Sequence, residues 1–365
     1  MPIFMDLHIA PGVSPREVAE AHILDTKIQH QYCCKAMTYW IDEDKGNVFC
    51  LIEAPDKESV RNMHEKAHGM IPNEIIQVNS DIVKAFLGRI HDPAIAMEPE
   101  TNLKVFSDPA FRIILVTKTM DTRLLQHQLG KERAQELLLL YGTVVRDQSR
   151  VHQGRDVYIK DDGFVISFVS SAQAMSCALE IQKVLNNASS LIGLRIGLHG
   201  GVPVTKSETI FGSTIGFASF LCTITKDNQV SLSNTVRALY RPDDFQVTTG
   251  DKVRSLSATE ETFLENLVET LSTNWRNPEF DVPDFCEAMS MSKPQLYRKC
   301  MSTTGMSPNS LLREYRLLQA LDFLHHEDRN IAQTTFDTGF SSPSYFSKCF
   351  QKRFGIQPLA YLKAK

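Results

Sequence analysis

The chain has 365 residues, 42% hydrophobic and 22% charged, with a formal net charge of -4. That length predicts two or three domains, and that balance allows each to build an ordinary core. No apolar run approaches the length of a membrane span, and the N-terminus has no basic flank of a secretory signal. The eight cysteines are scattered without a Cys-x-x-Cys, so the usage suits a reducing cytoplasm rather than a disulfide scaffold.

In chain order, Ile3 to Ile9 alternates like a strand, and Ser14-Pro15 opens a helix running to Tyr32. Two strands, Ala36–Ile41 and Asn47–Glu53, are joined by a turn through Asp44-Lys45-Gly46. Lys57 to Ala67 is a second helix and Glu74 to Val78 a last strand. The order β-α-β-β-α-β predicts a ferredoxin-like α+β domain over residues 1–95. Five histidines crowd here: His8, His22, His30, His64 and His68. His64 and His68 are four apart, share a helix face and can clamp one metal, and Cys50 adds a soft ligand. The candidate metal ligands are therefore His8, His22, Cys50, His64 and His68, for a divalent transition metal. The competing reading is histidines that hydrogen-bond within a core or a dimer interface.

Residues 80–107, with Pro93, Glu98-Pro99-Glu100 and Asp108-Pro109 at their end, have the composition of a linker. Residues 108–250 then read as an α/β domain. Phe111 to Thr117 is a buried-type strand, Leu124 to Val145 a long amphipathic helix, and Val157 to Phe168 a strand pair through Asp162-Gly163. Ala172 to Asn186 is helical, and Leu194 to Gly201 is a strand running into glycines. A helix over 259–275 leads to the last domain, residues 259–365.

That last domain contains a word written twice. Ser292-Lys-Pro-Gln-Leu-Tyr-Arg-Lys-Cys300 recurs as Ser341-Ser-Pro-Ser-Tyr-Phe-Ser-Lys-Cys349, and Gly305-Met-Ser-Pro308 returns as Gly355-Ile-Gln-Pro358. Two copies of one supersecondary unit are implied, each a short helix, a turn and a second helix. In the first, Leu296, Tyr297 and Cys300 are expected to face inward. Gln295, Arg298 and Lys299 are left exposed in the first copy, and Ser344, Lys348, Lys352 and Arg353 in the second; these, with the N-cap Ser292, Lys293 and the turn residue Ser342, are the candidate DNA-binding residues. Leu311 to Leu324 supplies a connecting helix. From Ala288 onward, eleven Lys and Arg stand against five Asp and Glu, the sign that phosphate binding needs. Such helices fit the major groove, with polar side chains on base edges and cations on phosphates. The all-α domain thus reads as a double helix-turn-helix with double-stranded DNA as its partner. An all-helical interaction domain with a solvated basic face is the plainer alternative.

Three resemblances sharpen these readings. Leu296-Tyr297-Arg298-Lys299, Gly305-Met-Ser-Pro308, Arg316 to Leu321, Gly339-Phe340, Ser344-Tyr345-Phe346 and Phe354-Gly355 resemble the C-terminal domain of the AraC/XylS family of transcription regulators. That resemblance implies sequence-specific DNA binding through Gln295, Arg298 and Lys299 in one groove. Ser344, Lys348 and Arg353 then fall in the next, about one helical turn (~34 Å) along. One departure is Thr334-Thr335, where the family has an apolar Ile-Ala pair, and it is expected to loosen the second unit. Asp6-Leu-His8, Ala21-His22, Tyr39-Trp40, Phe49-Cys50-Leu51 and His64-x-x-x-His68-Gly69 resemble a small family of ferredoxin-like proteins, some of which bind nickel.

The middle domain resembles class III nucleotidyl cyclases, through Asp162-Gly163-Phe164, Arg195 to Gly201 and Phe211-Gly212. It departs from them where the chemistry lies. Lys118 stands at the first metal-binding carboxylate, Gly216 and Phe220 at the transition-state Asn and Arg, and Tyr158 and Thr209 at the base-recognising positions. Without those groups the charge stabilisation of phosphoryl transfer is missing, so no enzyme is expected and no catalytic residue is assigned. Lys118 and Asp162 remain as a candidate ligand pocket or an internal salt bridge. The cyclase shape implies a homodimer, which would set two DNA-binding domains on paired half-sites. The whole reads as a cytoplasmic transcription regulator. The alternatives are a metal-binding protein with a vestigial DNA-binding domain and a cyclase with a non-standard site.

Overall fold

The computed structural model describes residues 1–94, 103–160, 163–188, 190–203, 210–240, 252–326 and 329–363. Strand β1 (Ile3–Ile9), helix α1 (Pro15–Ile28), β2 (Lys35–Asp42), β3 (Asn47–Glu53), α2 (Lys57–His68) and β4 (Glu74–Val78) follow the expected order. The sheet runs β2-β3-β1-β4 and every pairing is antiparallel, the ferredoxin-like arrangement. Local chemistry sets the helix ends. Ser14 and Glu17 make a reciprocal capping box on α1, Asp56 accepts from Ser59 N at the start of α2, and Gly69 closes α2 at φ +78°.

Side chains alternate across the sheet, so each strand serves two cores. Met5, Trp40, Phe49, Leu51 and Ile76 face one way, against Ile114, Phe211 and Ile215 of the next domain. Phe4 and Ile52 face the other way, against Val60 and Met63 of α2. The stretch read as a linker is in part packed structure. Helix α3 (Ser80–Leu87), capped by Asn79, buries Val83, Phe86 and Leu87, and Phe106 stacks on Tyr39 with ring centroids 4.2 Å apart. The prolines that suggested a linker say nothing about these apolar anchors.

The middle domain comprises β5 (Arg112–Lys118), α4 (Thr122–Leu129), α5 (Lys131–Val151), β6 (Arg155–Lys160), β7 (Gly163–Phe168) and α6 (Ser171–Ala188). It continues with β8 (Arg195–Gly201), α7 (Gly212–Ile224), β9 (Gln229–Leu232), α8 (Asn234–Ala238) and β10 (Val253–Ser255). Its sheet order is β10-β9-β8-β5-β7-β6, antiparallel around β5 and parallel from β8 to β10. β5 is buried on both faces: Ile113 and Leu115 lie with α5 and α6, and Ile114 and Val116 lie with α7. The single helix expected over Leu124–Val145 is two, broken at Gly130 with φ +82°.

The C-terminal domain is all-helical: α9 (Ala258–Asn274), α10 (Val282–Ala288), α11 (Lys293–Thr304), α12 (Pro308–His326), α13 (Ile331–Asp337), α14 (Pro343–Phe354) and α15 (Pro358–Lys363). The two copies of the repeat are α10-α11 and α13-α14, and α12 joins them. The first copy packs Phe285, Leu296 and Cys300 with Leu264 and Leu267 of α9 and Phe217 and Phe220 of α7. The second packs Phe340, Phe346 and Phe350 with Leu321 and Leu324 of α12 and Leu124 of α4. Polar contacts reinforce that second joint: Arg123 donates to the carbonyls of Leu324 and His325 at 3.1 and 3.2 Å, and the Tyr361 hydroxyl donates to Asp121 at 2.9 Å.

Candidate metal centre and nucleic-acid interface

Asp6 and His8 are two apart on β1, so both point to the face covered by α1 and α2, and Cys50 of β3 stands directly opposite Asp6. His64 and His68 come from α2 and Asp25 from α1. His64 lies at the centre. Its Nε2 is 2.9 Å from Asp6 Oδ2, and its Nδ1 is 3.1 Å from Asp25 Oδ1 and 3.1 Å from His68 Nε2. His8 Nε2 is 3.3 Å from Asp6 Oδ1, and His68 Nε2 is 3.3 Å from Asp25 Oδ1. One ligand atom from each of Asp6, His8, Cys50 and His64 falls within 4.8 Å of the others, as does the set Asp25, His64 and His68.

Burial pushes the His64 imidazole down, but Asp6 and Asp25 overcome this and lift it to about 10. Burial likewise raises both carboxyls, yet His64 and His8 hold Asp6 well below its ordinary value, and His64 and His68 hold Asp25 below its own. Burial, then the charges of Asp6 and Asp25, push the Cys50 thiol well up. Without an ion, a cation on His64 therefore holds two buried anions together.

The cluster is incompletely satisfied. Asp6 Oδ1, His8 Nδ1 and Asp25 Oδ1 are buried, and among the described residues none has a hydrogen bond of good geometry. A cavity of about 30 Å³ lies among His8, His22, Asp25, Cys50, His64 and His68, room for one ion or water. Imidazole, carboxylate and thiol donors in so small a space suit a late first-row divalent metal, so the residues fit one.

Four of the five expected ligands, His8, Cys50, His64 and His68, are brought together. His22 lines the cavity, but its Nε2 is 3.3 Å from Asp92 and its ring tilts on Tyr39. The sequence reading missed both carboxylates. The signals were present: Asp6 is two before His8 on a strand, and Asp25 is three after His22 on a helix.

Toward the other end of the chain, Ser292 at the N-cap of α11 and Lys293, Gln295, Arg298 and Lys299 on that helix are all exposed. Ser292 N and Oγ donate to Gln295 Oε1 at 3.0 and 2.8 Å, which leaves the Gln295 amide nitrogen free to donate outward. On α14, Ser344, Lys348, Lys352 and Arg353 are exposed, and Ser342 caps the helix through Tyr345 N at 3.4 Å. Tyr297 departs from expectation, and two of the exposed basic side chains have partners within the domain. Tyr297 is 52% exposed instead of inward, and Tyr345 on α14 is 49% exposed. Lys299 sits over the Phe263 ring at 5.4 Å. Arg353 Nε donates to both carboxylate oxygens of Glu314 at 2.6 and 2.8 Å, tying α14 to α12. At the Thr334-Thr335 departure, both residues are buried. Thr335 Oγ1 donates to Ile331 O at 2.7 Å, while the Thr334 hydroxyl has no partner among the described residues.

A third feature is a cleft of about 820 Å³ between the middle domain and helices α9 and α12, lined in part by Lys118, His199, Gly216, Phe220, Glu265 and Tyr315. Asp162 and Thr209 lie outside the described residues, as does the Tyr158 side chain, so the expected Lys118–Asp162 pair is not described. Burial pushes the His199 imidazole below its ordinary value, against the pull of Glu261.

Two family models match the chain: a helix-turn-helix domain over residues 285–364 and the nickel responsive protein SCO4226-like family over residues 4–78. The chain ends in an AraC-type helix-turn-helix domain and begins with a SCO4226-like domain. The solved structure of SCO4226 from Streptomyces coelicolor A3(2) is 31% identical, over 21% of this chain and 94% of that one, with a TM-score of 0.20. The HTH-type transcriptional activator RhaS of Mannheimia succiniciproducens is 32% identical over 92 residues, 25% of this chain and 34% of that protein. A histidine kinase P4 of Formosa agariphila is 36% identical over 107 residues, 29% of this chain and 8% of that protein. The chain thus spans about a third or less of these curated relatives. A Trypanosoma brucei adenylate cyclase structure covers 37% of this chain and 78% of its own at 14% identity and a TM-score of 0.32.

Proposed function

We propose that this chain is a cytoplasmic, sequence-specific DNA-binding transcription regulator whose N-terminal pocket holds a divalent transition metal, nickel being the favoured ion. The observation that carries the DNA reading is the doubled unit. α11 and α14 stand at repeat-related positions, each presents Lys and Ser to solvent, and one helix, α12, joins their two units. On double-stranded DNA, Gln295 and Arg298 read base edges and Lys293, Lys348 and Lys352 meet phosphates. Arg353 serves by holding α14 against α12. A family model described as helix-turn-helix and a relative described as a transcriptional activator support this.

The metal reading is supported by the unsatisfied buried atoms of Asp6, His8 and Asp25 and by the SCO4226-like match. Asp6, His8, Cys50, Asp25, His64 and His68 are the residues that would hold the ion, and an ion there would join β1 and β3 to α1 and α2. The middle domain is read as non-catalytic, because Lys118, Gly216 and Phe220 replace charge-handling groups that cyclase chemistry needs. Its role is dimerisation, which would place two such DNA-binding domains on paired half-sites.

The test is selection of bound duplexes from a random pool by the full-length protein, followed by titration of the enriched sequence. The expected result is an enriched motif whose affinity falls by about 1–3 kcal/mol in Arg298→Ala, with discrimination relaxed at one base position. No enrichment, or an Arg298→Ala protein that binds and discriminates like the wild type, overturns the placement of α11.

A further inference from the structure

A second set of ligating groups gathers where the middle domain meets α9. His199 lies on β8, and Glu261 and Glu265 are four apart on α9, hence on one face of that helix. One ligand atom from each of the three falls within 4.8 Å of the other two. His199 is 8% exposed and its ring packs on Phe217 with centroids 4.5 Å apart. Its Nδ1 faces Glu261 Oε1 at 3.6 Å, too far for a hydrogen bond, and has no other partner among the described residues. A buried nitrogen left unpaired beside a buried carboxylate is a costly arrangement unless something occupies the gap.

The neighbouring groups are already oriented for that. Glu261 is 5% exposed, and its two oxygens accept from Thr235 N at 2.8 Å and Thr235 Oγ1 at 2.5 Å. Those bonds fix the carboxylate at the start of α8 and still leave lone pairs on each oxygen. Glu265 and His199 both line the 820 Å³ cleft, which offers an ion a way in and room for water ligands.

We infer that His199, Glu261 and Glu265 form a second divalent-cation site, with one imidazole nitrogen, two carboxylate oxygens and open positions toward the cleft. One nitrogen and several oxygens favour an ion of the manganese type over a thiophilic one. The ion would bridge β8 to α9, the helix whose Leu264 and Leu267 pack against the first helix-turn-helix unit. The site shares no residue with the N-terminal pocket and stands whether or not that pocket takes nickel.

The experiment is a titration of the full-length protein with Mn²⁺, reading the free ion by electron paramagnetic resonance. Wild type is compared with Glu265→Gln and His199→Gln, both of which leave the N-terminal pocket untouched. The expected result is that wild type binds one more Mn²⁺ per chain than either variant below ~1 mM, the weak end of functional divalent-cation sites. Glu265 is exposed and its change to Gln conservative, so that comparison holds even if His199→Gln fails to fold. Isotherms that coincide for wild type and Glu265→Gln, or no binding by wild type in that range, overturn the inference.

Discussion

The N-terminal pocket and the C-terminal repeat treat their polar groups in opposite ways. In the repeat, α10, α13 and α14 each begin on a capping residue, Asp281, Asn330 and Ser342, whose side chain answers a free backbone amide, and Ser292 before α11 is held by Gln295 Oε1. Its polar and basic side chains are left in water. In the pocket, charges are buried, and among the described residues Asp6 Oδ1, His8 Nδ1 and Asp25 Oδ1 have no hydrogen bond of good geometry. The difference separates two kinds of site. A surface that meets a large, highly charged partner needs a rigid frame and solvated side chains, whereas a site for a small ion keeps donors desolvated and waiting.

The largest effect is expected from breaking the pocket. His64→Ala strands two buried carboxylates and should cost about 3–5 kcal/mol of N-terminal stability, read by chemical denaturation. A loss near zero would mean that the carboxylates are not held by His64. A pH series on the metal-free protein sharpens the point. The His64 pKa is raised in the folded state, so its contribution is fully present below the ordinary 6.5 and is lost as pH rises through about 10. The alkaline loss should be absent in His64→Gln.

Next in size is metal addition. Ni²⁺ at one hundred times its dissociation constant should add about 2.7 kcal/mol to N-terminal stability. The gain should vanish in His8→Ala plus His68→Ala, which spares the His64 ion pairs. If the gain survives that pair of changes, the ion binds elsewhere.

Smaller effects distinguish reading from holding in the repeat. Arg298→Ala should relax base discrimination, whereas Arg353→Ala should leave it intact and cost about 0.2–1 kcal/mol of stability through the lost Glu314 pair. Loss of discrimination in Arg353→Ala would move that residue onto the DNA. Thr334→Val, which removes a buried hydroxyl without a partner among the described residues, should stabilise the C-terminal domain by about 1 kcal/mol, seen as a raised unfolding midpoint.

Much of this architecture is legible in the sequence, because period and punctuation act locally. Strand alternation gave β1 to β4 in order, and Ser-x-Pro before each second helix marked α11 and α14. What escaped depends on distant partners. Asp6 and Asp25 become ligand candidates once β1 is laid against α1 and α2. Tyr297 looks like a core residue by spacing, yet Leu296 and Cys300 already fill that face. The pairing of Arg353 with Glu314, far back in the chain, is likewise invisible to local spacing. Helix α3 was hidden by the prolines that follow it.

The most direct test of the account is the affinity of the full-length protein for its selected duplex, measured with and without one equivalent of Ni²⁺. Wild type is compared with His8→Ala plus His68→Ala. If the N-terminal pocket governs the C-terminal reader, Ni²⁺ should change the wild-type dissociation constant by roughly 5-fold or more, with the doubly substituted protein indifferent to the ion. The same dissociation constant with and without bound Ni²⁺ in the wild type would contradict that coupling.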